Sequence, residues 1–184
     1  MTPKSLITCA EFERMASEQG PCELIDGEVV PLLPGGYEHS LSSGNIFSLI
    51  REFVSARKLG RVLTNEVGIH VSDEPPRSRG ADVAYISYKR LPRDKAPKGF
   101  LTVPPDLIVE VFGSDSSWQR IEEKIADYHR LGVDMVWVAD PYTRTVKRFP
   151  RGGLQDVVHD PGEIDGGEVL PGFAASFSKF FDEE

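Results

Sequence analysis

The chain has 184 residues, 40% hydrophobic and 27% charged, with a net charge of −8. That composition is ordinary for a globular protein, and the length suits a single domain over residues 1–184. It excludes a helical membrane span, which needs roughly 20 apolar residues, and a disulfide framework, since Cys9 and Cys22 are the only cysteines. Glu11 and Glu13 fall where an export signal would have its apolar core. A reduced, cytoplasmic protein is the expectation.

Thr8-x-x-Glu11 has the spacing of a capping box and predicts a short helix ending at Gly20. Residues 22–30, CELIDGEVV, read as a hairpin around Asp26-Gly27. From Tyr37 to about Leu59, Ile46, Leu49, Ile50, Phe53 and Val54 recur at helical spacing. Stepping back along that face places Ser42 and His39 inward, and Gly60 would stop the helix. Arg61 to Val71 predicts a strand broken at Glu74-Pro75-Pro76, and Ala81 to Tyr88 predicts another with Asp82 at its entry. The Lys/Arg/Pro-rich segment up to Gly99 reads as a loop or mobile arm.

The stretch 104–141 organises the rest. Leu107 to Phe112 is apolar everywhere except Glu110 and reads as a buried strand. The turn Gly113-Ser114-Asp115 follows, then Ser116-x-x-Gln119 as a second capping box, and a helix that Gly132 would end. Met135 to Ala139 is a second buried strand, completing a βαβ-like unit. Thr143 to Phe149 is expected as an edge strand, Arg151 to Gly172 as short strands and turns, and Phe173 to Phe180 as an amphipathic cap.

An ionised carboxylate inside LIVEVF must be neutral, paired or bound to a cation. Glu110 shares a strand face with Ile108 and Phe112, and Asp82 shares one with Ala84 and Ile86. If those strands are neighbours, two carboxylates meet, a conflict that Mg²⁺ or Mn²⁺ with one or two carboxylates and waters resolves. Lys124 projects from the side of its helix that carries Ile121 and Tyr128, toward the sheet, where an ammonium can orient a metal-bound water or stabilise a developing phosphate charge. A structural ion pair of Glu110 with Lys124 or Arg120 meets the same constraint.

The net charge argues against whole-surface binding to nucleic acid, but charge is uneven. Between Arg77 and Lys98 seven basic residues face Asp82 and Asp94, so that segment carries +5 and the remainder −13. Charge runs are usually solvated loops. This one flanks Asp82, which makes Arg77, Arg79, Lys89 and Arg90 candidate contacts to a DNA backbone.

In order and spacing, CELIDGEVV (22–30), His39, ADVAYIS (81–87), PDLIVEVFGSDS (105–116), Lys124-x-x-x-Tyr128-x-x-x-Gly132-Val133 and VWVADP (136–141) resemble the Uma-type restriction endonuclease family. That family is a bacterial branch of the PD-(D/E)XK nuclease superfamily. The resemblance implies a restriction-endonuclease-like α/β fold, a mixed sheet flanked by helices. It implies a DNA-cleaving, Mg²⁺- or Mn²⁺-dependent enzyme with Asp82, Glu110 and the Val111 carbonyl on the metal and Lys124 as the catalytic lysine. His39, Glu23 and Tyr128 match supporting positions, with capping or core hydrogen bonding as the other role open to His39 and Glu23.

The chain departs from the pattern at Ala81, where proline is usual, and at Gly113-Ser114-Asp115. Phe112 stands where the superfamily lysine usually lies, and Arg120 stands where the family often has aspartate. These departures keep a second reading in play, a non-catalytic binding or assembly module, and a third, an enzyme on another phosphoester. The predicted edge Thr143–Phe149 and the tail residues Phe173, Phe177, Phe180 and Phe181 suggest a homodimer surface.

Overall fold

A computed structural model describes residues 6–113 and 116–183; Ser114 and Asp115 of the predicted turn lie outside the described residues. Helix α1 (Cys9–Gln19) starts at Thr8, whose hydroxyl accepts from Glu11 N–H while the Glu11 carboxylate accepts from Thr8 N–H, and its C-cap is Gly20. Strands β1 (Cys22–Ile25) and β2 (Glu28–Pro31) form the Asp26-Gly27 hairpin. Helix α2 (Tyr37–Arg57) ends earlier than expected, with Lys58 left-handed at its C-cap. Gly60 instead opens β3 (Gly60–Asp73), where any Cβ would lie 2.2 Å from the Ile86 carbonyl oxygen. Its role is close strand approach, not helix termination.

Strand β4 (Pro76–Ser87) begins five residues before the predicted strand. It is the centre of the eight-stranded sheet. Along one edge it pairs with β3 from Gly60↔Ser87 to Asp73↔Pro76. Its other edge is shared: β5 (Leu107–Val111) takes Val83–Tyr85, and β1 meets Ser78. Helix α3 (Trp118–Leu131) links β5 to β6 (Met135–Asp140), the sheet's parallel pair. Ser117 caps α3, not Ser116, because the Ser116 hydroxyl accepts from Gly113 N–H instead.

Period-two alternation sorts the side chains between two cores. Val83, Val109, Val111, Trp137 and Ala139 pack under α2. Ala84, Ile86, Ile108, Val136 and Val138 pack under α3 with Ile121, Ile125 and Tyr128. The α3 stripe is what docks the helix that carries Lys124.

Two expectations about surfaces are corrected. Strand β7 (Thr145–Pro150) is not an edge, because β8 (Asp156–His159) pairs along it. Phe173, Phe177, Phe180 and Phe181 are buried in this chain's own core, Phe173 just before β10 (Ala174–Ser176), which pairs with β9 (Glu163–Asp165), and the other three on α4 (Phe177–Phe181). Neither feature offers a dimer surface. The 89–99 segment is also tied down: Arg61 donates to the carbonyls of Leu91, Pro92 and Arg93, and Leu91 and Leu101 are buried. Among the described residues no helix is long and apolar enough to cross a membrane.

The tail correction predicts that Phe180→Ala destabilises the chain by about 3–5 kcal/mol, the usual cost of a truncated core aromatic. Urea denaturation measures this. A loss below about 1 kcal/mol with an altered oligomeric state would restore the surface reading.

Candidate active site

The shared edge of β4 creates the site. Between Ser78, paired with β1, and Val83, paired with β5, that edge carries no strand partner in the register. Side chains take over there. Gly80 N–H donates to Glu23 Oε1 at 3.0 Å, and the Tyr128 hydroxyl approaches the Gly80 carbonyl at 3.1 Å. Extending the β4–β5 register by one residue from Val83↔Val109 places Asp82 opposite Glu110. The two predicted carboxylates are therefore neighbours on the α3 face, as the strand pattern requires.

Asp82 is 7% exposed. One oxygen accepts from Val111 N–H at 2.7 Å, and the other lies 3.3 Å from His39 Nε2 in the first turn of α2. Burial works against its charge, but His39, Lys124 and the Val111 amide outweigh that and hold the carboxyl below its ordinary value. The hydrogen bond to Asp82 raises His39 in return, against its own burial.

Glu110 is 3% exposed. Lys124 Nζ lies 2.5 Å from Oε2, and the Tyr128 hydroxyl lies 2.7 Å from Oε1. Arg120 is exposed on the cleft wall, so the buried ion pair belongs to Lys124. Burial pushes the Glu110 carboxyl up to about 8; Lys124 offsets this only in part, and the Asp82 charge adds to it. The hydrogen bonds agree with that direction. Tyr128 has one proton and faces two acceptors, Glu110 Oε1 and the Gly80 carbonyl. A proton on Glu110 frees Tyr128 to donate to Gly80. Lys124 is itself held above its ordinary value, because Glu110, Glu23 and Asp82 surround it and outweigh its burial.

Glu23 backs this pair. Its Oε1 lies 3.5 Å from Lys124 Nζ, and its Oε2 accepts from Arg79 Nη1 at 3.0 Å. Arg79 Nε also donates to Asp127 at 2.8 Å, and its Nη2 sits 2.7 Å from the same carboxylate but off the hydrogen-bond axis. This corrects the expected DNA contacts. Arg79 is 4% exposed and locked in that network. Arg77 pairs with Asp26 at 2.7 Å and Asp127 at 3.1 Å. Arg90 binds Asp134, Asp106 and the carbonyls of Pro104, Pro105 and Gly132. Of the four, Lys89 stays exposed.

Asp82, Glu110, Lys124, His39, Glu23 and Val111 all line one cleft of about 170 Å³, while Tyr128 lies buried beneath it. Glu66 also lines it and was not anticipated. Asn65 and Glu66 have positive φ of 73° and 52°, in a register shift between Thr64 and Val67. Such a bulge re-aims a side chain. Burial and the Asp82 charge raise the Glu66 carboxyl. Asn65, a residue tolerant of left-handed backbone, is the only sequence hint. A second unanticipated residue is Lys147, which the register places in the row Glu110–Val138–Lys147, with its ammonium 3.6 Å over the Trp118 ring.

The donors suit a hard divalent cation: carboxylate oxygens on neighbouring strands, one of them poised to exchange a proton for a metal, beside an open cleft. Asp82, Glu110 and the Val111 carbonyl would hold it.

A sequence profile of the Uma2 family, described as "Putative restriction endonuclease", matches residues 9–178. The chain belongs to this family. A crystal structure titled as a putative nuclease belonging to DUF820, from Anabaena variabilis, superposes with a TM-score of 0.81 and 22% identity, covering 95% of this chain and 97% of that one. At that identity the likeness carries the fold. No curated protein matches the sequence. For this Uma2 member the expected fold, a mixed sheet flanked by helices, is thus found.

The raised Glu110 carboxyl has a defined effect on stability. Between pH 4.5, its ordinary value, and about 8 the metal-free fold keeps a proton that the unfolded chain releases. Its contribution is therefore full below 4.5, declines as pH rises and is gone above about 8. Wild type should lose stability relative to Glu110→Gln by up to about 1.4 kcal/mol per pH unit in that window. Urea midpoints in a chelating buffer measure this, and parallel profiles would refute the assignment.

Proposed function

We propose that this chain is a metal-dependent nuclease that hydrolyses phosphodiester bonds in DNA, using Mg²⁺ or Mn²⁺. The observation that carries this reading is the meeting of Asp82, Glu110 and Lys124 at an open cleft, in a chain of the Uma2 family. A bound divalent cation would supply Lewis-acid polarisation of the phosphate and a more acidic water.

The chain's own residues have distinct tasks. Lys124, kept protonated by three surrounding carboxylates, would stabilise negative charge developing on the phosphate. Glu23 positions that ammonium from behind, fixed by Arg79 and the Gly80 amide. His39 holds the Asp82 carboxylate from one side and Val111 N–H from the other. Arg120 on the cleft wall and Lys147 beyond it are cations placed to meet flanking phosphates. Few phosphate contacts on an acidic body imply modest affinity and a shallow salt dependence. The two free cysteines suit a reducing cytoplasm. Cutting both strands of a duplex would call for two copies acting together, although the surfaces first expected to pair them are internal.

Lys124→Ala should lower Mn²⁺-dependent cleavage of DNA by about 100- to 1,000-fold, the cost of losing one preorganised charge-stabilising donor. It should leave the fold intact, because Glu110 can hold a proton in its place. Supercoiled plasmid and a single-stranded oligonucleotide, each with Mn²⁺ and with chelator, are the assays. Undiminished cleavage by the variant would overturn the role of Lys124; cleavage of RNA but not DNA would move the substrate class.

A further inference from the structure

A second set of metal-ligating side chains lies at the other end of the β3–β4 hairpin. Cys9 opens α1, and His70 and Asp73 come from β3. The Cys9 sulfur, a His70 ring nitrogen and an Asp73 carboxylate oxygen all lie within 4.8 Å of one another. His70 pairs with Ser78, four residues before Asp82. At ~3.3 Å per residue that is about 13 Å along the strand from Asp82.

Their convergence is built by the backbone. In an unbroken strand, residues three apart point to opposite faces. A register shift between His70 and Ser72 re-aims the chain, and His70 Nε2 then meets Asp73 Oδ1 at 3.3 Å. Cys9 is only 3% exposed, yet its sulfur faces polar atoms. Its thiol donates to the Ser72 carbonyl at 3.2 Å, with the Arg77 carbonyl a second acceptor at 3.6 Å, one on each strand of the hairpin, and a metal would take the place of that proton. The His70 side chain is 28% exposed and that of Asp73 is 82% exposed, so the cluster opens to solvent on the Asp73 side.

We propose that Cys9, His70 and Asp73 bind one zinc ion, with water in the fourth position. Sulfur, imidazole and carboxylate are each ligand types that zinc takes, and the set is a poor one for Mg²⁺, which takes oxygen ligands. On binding, the Cys9 S–H bond gives way to an S–Zn bond and the proton leaves to solvent, so affinity rises with pH. The ion would tie the start of α1 to the end of the β3–β4 hairpin, a stabilising clamp independent of the cleft chemistry.

The test uses the full chain carrying Asp82→Asn, so that the carboxylate site does not add to the count. Titration with Co²⁺ should give one equivalent bound and a thiolate-to-cobalt absorption band. The band should vanish in Cys9→Ser and persist in Cys22→Ser. Zinc affinity, measured by chelator competition, should fall in His70→Asn by more than the roughly 10- to 100-fold that loss of an outer-shell partner costs. Circular dichroism verifies folding of each variant, and His70→Asn decides alone if Cys9→Ser unfolds. No stoichiometric binding, a band that survives Cys9→Ser, or a zinc affinity unchanged in His70→Asn would overturn the proposal.

Discussion

A carboxylate in the middle of a five-residue buried strand is the constraint on which this architecture depends. Glu110 cannot stay ionised and alone there. The sheet accommodates it by leaving part of one β4 edge without a strand, so that side chains from β1 and α3 can enter. Lys124 and Tyr128 meet Glu110 directly, Glu23 meets Lys124, and Arg79 joins Glu23 to Asp127. Each charge in this chain justifies the burial of the next. Removing Arg79 would leave Glu23 and Asp127 uncompensated, which is far more costly than never having buried them, whereas Glu110 survives the loss of Lys124 by taking up a proton. Fold and site are thus one arrangement.

The same arrangement divides the basic residues into two kinds. Arg77, Arg79 and Arg90 look like a nucleic-acid patch in the sequence but act as internal counter-ions to Asp26, Glu23, Asp127, Asp106 and Asp134. Two cations nearer the cleft, Arg120 and Lys147, are scattered through the sequence and are brought to that side by α3 and the β6–β7 register. A net charge of −8 then favours local engagement at the cleft over broad electrostatic capture.

Much of this was legible in the sequence because it follows from local periodicity. The Asp26-Gly27 hairpin, the Thr8 cap, the α3 stripe and the strand faces of Asp82 and Glu110 all rest on spacings of two or 3.6 residues. What escaped depends on tertiary placement. Glu66 enters the cleft through a bulge with two left-handed residues, and little but Asn65 marks it. Strand β8 is only four residues long, DVVH, too short for a periodic signal to reveal that β7 is covered. The tail phenylalanines could not be assigned to this chain or to a partner without knowing which face of α2 stood open. The 77–98 segment reads as one unit in the sequence because a charge count does not separate strand residues from loop residues.

The central claim is that Asp82 and Glu110 form a divalent-cation site. Calorimetric titration of Mn²⁺ into wild type and Asp82→Asn near pH 8, where Glu110 releases its proton, tests it most directly. The account predicts saturable binding by wild type that disappears in the folded variant. A well-folded wild type that binds no Mn²⁺, or a variant that binds as tightly, would contradict it and leave Glu110 and Lys124 as a structural ion pair.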